Sequence, residues 1–141
     1  MFASQYPWGY NRVMATREIT LDNLEPTITG NDIVLLDFWA AWCGPCRAFA
    51  PVFETASQTH PDVVFGKVDT EAQQQLAAGF RITSIPTLMA FREGVLVFAQ
   101  PGALAAPQLE QVIAAVRDLD MDEVRAQVAA QAQQSQQETA R

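Results

Sequence analysis

Ile33 to Ala56 reads IVLLDFWAAWCGPCRAFAPVFETA, and the fold is decided inside this stretch. Its first eight residues, Ile33 to Ala40, are an almost unbroken apolar run. Such a run suits a strand covered on both faces, as in a parallel sheet between helices. Asp37 is the single charge within it. From about Cys43 the pattern becomes helical, with Phe49, Val52, Phe53 and Ala56 on the side to be buried and Pro51 expected to kink the helix. The junction between the two elements is Trp42-Cys43-Gly44-Pro45-Cys46.

Working outward, Arg17 to Thr20 reads as a short strand. Asp22 to Ile28 reads as a short helix, with Asp22 as N-cap, Glu25 three residues later and Pro26 confined to the first turn. Val63 to Val68 is a second buried strand, followed by a helix with Thr70 as N-cap and Gln73 at its third position, ending near Gly79. Thr87–Phe91 and Val95–Phe98 flank Arg92-Glu93-Gly94 in a hairpin pattern. A last amphipathic helix starts near Pro107 and aligns Leu109, Val112, Ile113, Val116 and Leu119. The order is βαβαβ followed by ββα, a single α/β domain over residues 17–119.

Both ends differ in character. Residues 1–16 read as a flexible N-terminal extension with no apolar core of a secretion signal; Tyr6, Trp8 and Tyr10 are its aromatic feature and Met14 an alternative start. Residues 120–141 read as a helical extension, with Asp120 as N-cap and Glu123 at its third position. From Gln131 its Gln- and Ala-rich sequence is expected to fray into disorder.

Composition narrows the function. The 141 residues carry a net charge of −7, with a pI near 4.5. That balance argues against binding nucleic acid, which needs a basic footprint, and against anionic membranes. No apolar stretch approaches the ~18 residues of a spanning helix. There are two cysteines, Cys43 and Cys46, and one histidine, His60. A zinc site needs more ligands than these, so no metal is expected. A disulfide across so short a loop removes little entropy from the unfolded chain and makes a poor staple, which leaves a redox role. His60, beside Pro61 and without a companion ligand, reads as a solvated loop residue.

A dithiol enzyme needs one accessible thiolate and a second thiol placed to resolve the mixed disulfide. At a strand-to-helix junction, Cys43 meets the unpaired N–H groups and positive dipole end of the helix, which favour its thiolate. Cys46, one turn in, is expected to be less exposed and to resolve. Gly44 permits close approach, Pro45 stiffens the first turn, and Trp42 supplies a flat apolar rim.

The segment Phe38-Trp39-Ala40-Ala41-Trp42-Cys43-Gly44-Pro45-Cys46-Arg47 resembles the active site of thioredoxins, and Ser84-Ile85-Pro86-Thr87 resembles the loop that faces it. The resemblance covers about Arg17 to Leu119. It implies the thioredoxin fold, a central mixed five-stranded sheet flanked by four helices, here with an extra C-terminal helix. It also implies a cis Pro86 facing the dithiol, with Ile85 offering backbone groups to a substrate strand. Asp37 would lie beneath the dithiol as proton acceptor for Cys46, and Lys67 would be its partner. A carboxylate in a buried strand should have a raised pKa. Gly102 falls where the family keeps a glycine near the substrate groove, although Pro101 before it departs from the commonest pattern. Trp39 reads either as packing beside the dithiol or as an ordinary core aromatic.

The function implied is a general, cytoplasmic and monomeric protein disulfide reductase. It would take electrons from NADPH through a thioredoxin reductase, pass them to disulfide-bearing client proteins, and bind no cofactor beyond its own redox-active disulfide. Gly44-Pro45 lacks the histidine of oxidising relatives, which disfavours an oxidase or isomerase. The competing class is a holdase-like binding module whose dithiol is secondary.

Overall fold

The computed structural model describes residues 15–139. The aromatic patch expected around Tyr6, Trp8 and Tyr10 and the alternative start at Met14 lie outside them. The elements are β1 (Thr16–Glu18), α1 (Leu24–Thr29), β2 (Ile33–Trp39), α2 (Gly44–Thr59), β3 (Val64–Asp69), α3 (Gln74–Gly79), β4 (Thr87–Arg92), β5 (Val95–Pro101), α4 (Ala106–Arg117) and α5 (Met121–Thr139). They form one five-stranded sheet in the order β1-β3-β2-β4-β5. β1, β3 and β2 run parallel, β4 runs antiparallel to β2, and β5 runs antiparallel to β4.

The apolar run of β2 is the middle of this sheet. Its side chains alternate between two cores: Ile33 and Leu35 pack with Phe49, Phe53, Phe65, Leu109 and Ile113, while Val34, Leu36 and Phe38 pack with Val68, Leu76, Met89 and Phe91. Covering on both faces is what the unbroken pattern requires. At Gly66 the second core leaves no room: a Cβ there would lie 2.5 Å from Ile19 and 2.9 Å from Leu36.

Several boundaries differ from the sequence reading, each for a local reason. β1 begins at Thr16, opposite Phe65, one residue before the expected domain start. Asp22 does not cap α1; Asn23 stands at that position, and its Oδ1 accepts the Thr20 N–H at 2.8 Å. Pro26 sits in the first turn of α1, as expected. Thr70 does not cap α3 either. The Asp69 carboxylate takes the N–H groups of Glu71 and Ala72 instead, which turns the chain and delays the helix to Gln74. Thr70 is held elsewhere, its Oγ1 donating to the Trp39 carbonyl at 3.0 Å.

α4 is buried along Leu109, Ile113 and Val116, and its end is tied down by Arg92. That side chain donates to the carbonyls of Val116 and Arg117 and to Asp32. His60, expected to be solvated, closes α2 and joins a network: its Nε2 lies 2.8 Å from Glu110, its Nδ1 lies 3.0 Å from Arg117, and Arg117 pairs with Asp62. α5 starts on the Asp120 cap, as expected. Instead of fraying into disorder from Gln131, it continues to Thr139, since alanine and glutamine are good helix formers. Met121 anchors it in a buried position, and Arg125 reaches back to Glu93.

Candidate active site

β2 ends at Trp39 and the chain turns over Ala40, so that Cys43 becomes the N-cap of α2 in extended conformation. Its Sγ accepts the Cys46 N–H at 3.2 Å, doing the work that a serine or aspartate oxygen does at other helix starts. Pro45 falls in the first turn, where a missing N–H costs nothing. The Arg47 guanidinium donates to the Ala41 carbonyl at 2.8 Å and braces the turn. Cys43 and Cys46 are joined as a disulfide, with their Cα atoms 5.2 Å apart.

The expected contrast in exposure between the cysteines is not present in this disulfide form. Cys43 is 4% exposed and Cys46 3%. The Cys43 sulfur is tucked between the Cys46 N–H and the Ile85 carbonyl oxygen, 3.7 Å away, which covers it as fully as its partner.

The second loop approaches from β4. The Ile85–Pro86 peptide bond is cis. Ile85 packs against the cysteines together with Trp39, while Pro86 itself is buried. The Pro86 carbonyl accepts the Gly102 N–H at 2.8 Å, so the start of the β5–α4 connection is stitched to this loop. Gly102 has φ +103°, a conformation open to glycine, and that accommodates the turn after Pro101. Trp42 stands 67% exposed beside the disulfide, its indole N–H donating to Glu71 at 3.2 Å.

Asp37 lies under this surface on the α2 side of the sheet. It is 1% exposed, and neither carboxyl oxygen has a hydrogen-bond partner among the described residues. Burial pushes its pKa up to about 7, against the opposing field of Lys67. Lys67 stands opposite Asp37 in the parallel β2–β3 register. It makes no ion pair with Asp37 among the described residues; its Nζ lies over the Trp39 ring, 5.1 Å from the centroid. The expected partnership is therefore one of field, routed beside an aromatic face. Trp39 packs against the cluster of Ala40, Cys43 and Cys46.

Sequence reading did not single out Glu71 or Thr70 as parts of the site, and gave Arg47 no role beyond its place in the motif. Glu71 is 29 residues from Trp42, and no local pattern joins them. Among the described residues no cluster of His, Cys, Asp or Glu could hold a metal ion, and no helix is long and apolar enough to cross a membrane.

A two-cysteine helix start, a facing cis-proline loop and a five-stranded mixed sheet together define a thiol–disulfide oxidoreductase. The family model for thioredoxin matches residues 15–115. Over 121 residues the chain is 59% identical to the "Putative thioredoxin 2" of Streptomyces coelicolor, covering 86% of this chain and 90% of that one. It is 42% identical over 103 residues to a thioredoxin of Alicyclobacillus acidocaldarius, covering 72% of this chain and 98% of that one. Among solved structures, a mutant thioredoxin from Halobacterium salinarum superposes with a TM-score of 0.69 at 30% identity, over 75% of this chain and 95% of that one. The chain belongs to the thioredoxin family, and Cys43–Cys46 is its redox-active disulfide.

Proposed function

We propose that the chain is a general reductant of protein disulfides, working through the Cys43–Cys46 dithiol. The observation that carries this reading is where the disulfide sits: on the first turn of α2, against the Ile85 carbonyl, on the same side of the sheet as a buried and unpaired Asp37.

In the reduced protein the N-terminus of α2 favours the Cys43 thiolate. That thiolate attacks one sulfur of a client disulfide; the client S–S bond breaks, and the departing sulfur leaves as a thiolate that takes a proton from water. Cys46 then loses its proton to Asp37 and attacks the Cys43 sulfur. The mixed disulfide breaks, the second client thiolate departs, and the Cys43–Cys46 bond is restored. Two electrons have passed to the client. A carboxyl held at about 7 is matched to taking and returning a proton near neutral pH. Lys67 keeps that carboxyl from rising further.

The remaining residues bind. Ile85, beside the cis Pro86, offers backbone groups to an extended client segment, and the exposed Trp42 and the Gly102 turn border the groove. Gly44 and Pro45 hold the turn open and stiff. Recharging takes two electrons from NADPH, delivered by a flavin-containing thioredoxin reductase. The work belongs in the cytoplasm, where client thiols are kept reduced, and the chain acts as a monomer.

Insulin reduction driven by NADPH and a thioredoxin reductase tests this. Turnover is expected for the wild type and none for Cys43→Ser, while Cys46→Ser is expected to accumulate mixed disulfides on Cys43. A wild-type protein that fails to reduce insulin even after chemical reduction of its own disulfide overturns the reading. Client capture that survives in Cys43→Ser would then favour a binding module.

A further inference from the structure

At the end of the sheet that carries the dithiol, the turn after β1 (residues 19–23, with Asp22) lies at the far edge, and the surface around the cysteines is formed by residues 40–47, 69–73, 80–86 and 101–105. The charged side chains of that surface are Arg47, Asp69, Glu71 and Arg81. The surplus of negative charge in the chain therefore lies elsewhere. Three of the four are engaged: Arg47 with the Ala41 carbonyl, Asp69 with the N–H groups of Glu71 and Ala72, and Glu71 with the Trp42 indole. Arg81, alone of the four among the described residues, has no side-chain partner.

Arg81 is exposed and lines a groove of about 230 Å³ whose wall includes Ser84, Thr87, Gln100 and Pro101. Ser84 and Thr87 bracket the cis Ile85–Pro86 bond, and Pro101 precedes the Gly102 that bonds to Pro86. The groove is thus a continuation of the loop on which an extended client would lie. The backbone of Arg81 has φ +57°, a left-handed conformation that favours glycine, yet an arginine stands there. The rest of the groove wall supplies hydroxyls, an amide and apolar atoms, with no carboxylate.

Resting on the reductase reading above, we infer that Arg81 is a specificity-determining residue. It selects client segments that place an acidic side chain close to the reacting cystine, pairing with that carboxylate in the groove. The effect acts on encounter and binding; the chemistry at Cys43 is untouched.

The test uses the full chain and matched disulfide peptides that differ at positions flanking the reactive cysteine: Glu in one, Gln in the second, Lys in the third. In dilute buffer the wild type is expected to reduce the Glu peptide with a kcat/KM about three- to fivefold above the Gln peptide, the range of an exposed ion pair. The Lys peptide should be slower still. The difference should lie in KM and should disappear at about 1 M salt, where the Debye length is about 3 Å. Arg81→Gly, which suits the backbone, should equalise the three peptides at the wild-type rate for Gln; Arg81→Lys should restore the order. Equal rates in the wild type, or an order that persists in Arg81→Gly, overturns the inference while leaving the reductase reading intact. Failure of the wild type to reduce any of the peptides overturns both.

Discussion

Asp37 is the one buried charged residue among those described. Burial holds its carboxyl at about 7, with Lys67 the smaller, opposing influence. The sign of the consequence follows from proton binding: between about 3.8 and about 7 the native state keeps a proton that the unfolded chain has released. The contribution of this group is therefore most favourable below the unfolded pKa and is lost as the pH rises through the folded one. The whole effect is on the order of 4 kcal/mol. Asp37→Asn is expected to raise stability at pH 8 by about 2–4 kcal/mol and to flatten the decline between pH 4 and 7, read by denaturant titration across pH. The same variant is expected to slow insulin turnover several-fold and to shift its pH profile; an unaltered profile would remove Asp37 from proton transfer. The anomaly of one charge in an apolar strand is visible in the sequence, and so is the chemistry of Cys43 and Cys46. His60 is not legible in the same way: its partners Glu110 and Arg117 lie 50 and 57 residues away, and nothing near it in the chain announces them.

At the scale of elements, β2 and α2 were readable because both depend on pattern alone: an unbroken run for a strand covered twice, and a helical period behind a cap. α3 shows where that reading ends. Thr70 and Gln73 have the spacing of a capping box, but Asp69 competes for the same N–H groups one residue earlier and wins. Gly66 marks a further limit, since a glycine in a strand reads as tolerable while its real constraint is contact with Ile19 and Leu36, which flank it from the β1 and β2 sides. Gly66→Ala is expected to cost about 1–3 kcal/mol through overpacking, read as a lower unfolding midpoint with the dithiol chemistry intact. An unchanged midpoint would mean that Ile19, just after β1, and Leu36 in β2 yield more easily than their packing implies.

For the molecule as a whole, α5 is the addition to the domain that the family model spans, residues 15–115. Met121 is buried and Arg125 ties the helix to the β4–β5 turn, while its later turns are exposed. Truncation after Asp120 is therefore expected to lower Tm by about 5 °C, the cost of one buried side chain and one surface pair, and to leave insulin reduction unchanged. Loss of activity in that variant would assign α5 to the site. The helix also lies along β5, with Leu96, Val97, Val124 and Val128 sharing a shallow cleft. β5 is an outer strand of the sheet, and its register is broken where Ala90 pairs with Phe98 but Phe91 pairs with Leu96, leaving Val97 as an extra residue. An open strand edge is a template on which other chains can assemble, and a bulge twists it out of that role. With the bulge in place and α5 beside it, this edge is guarded against recruiting a foreign strand and growing into a polymer.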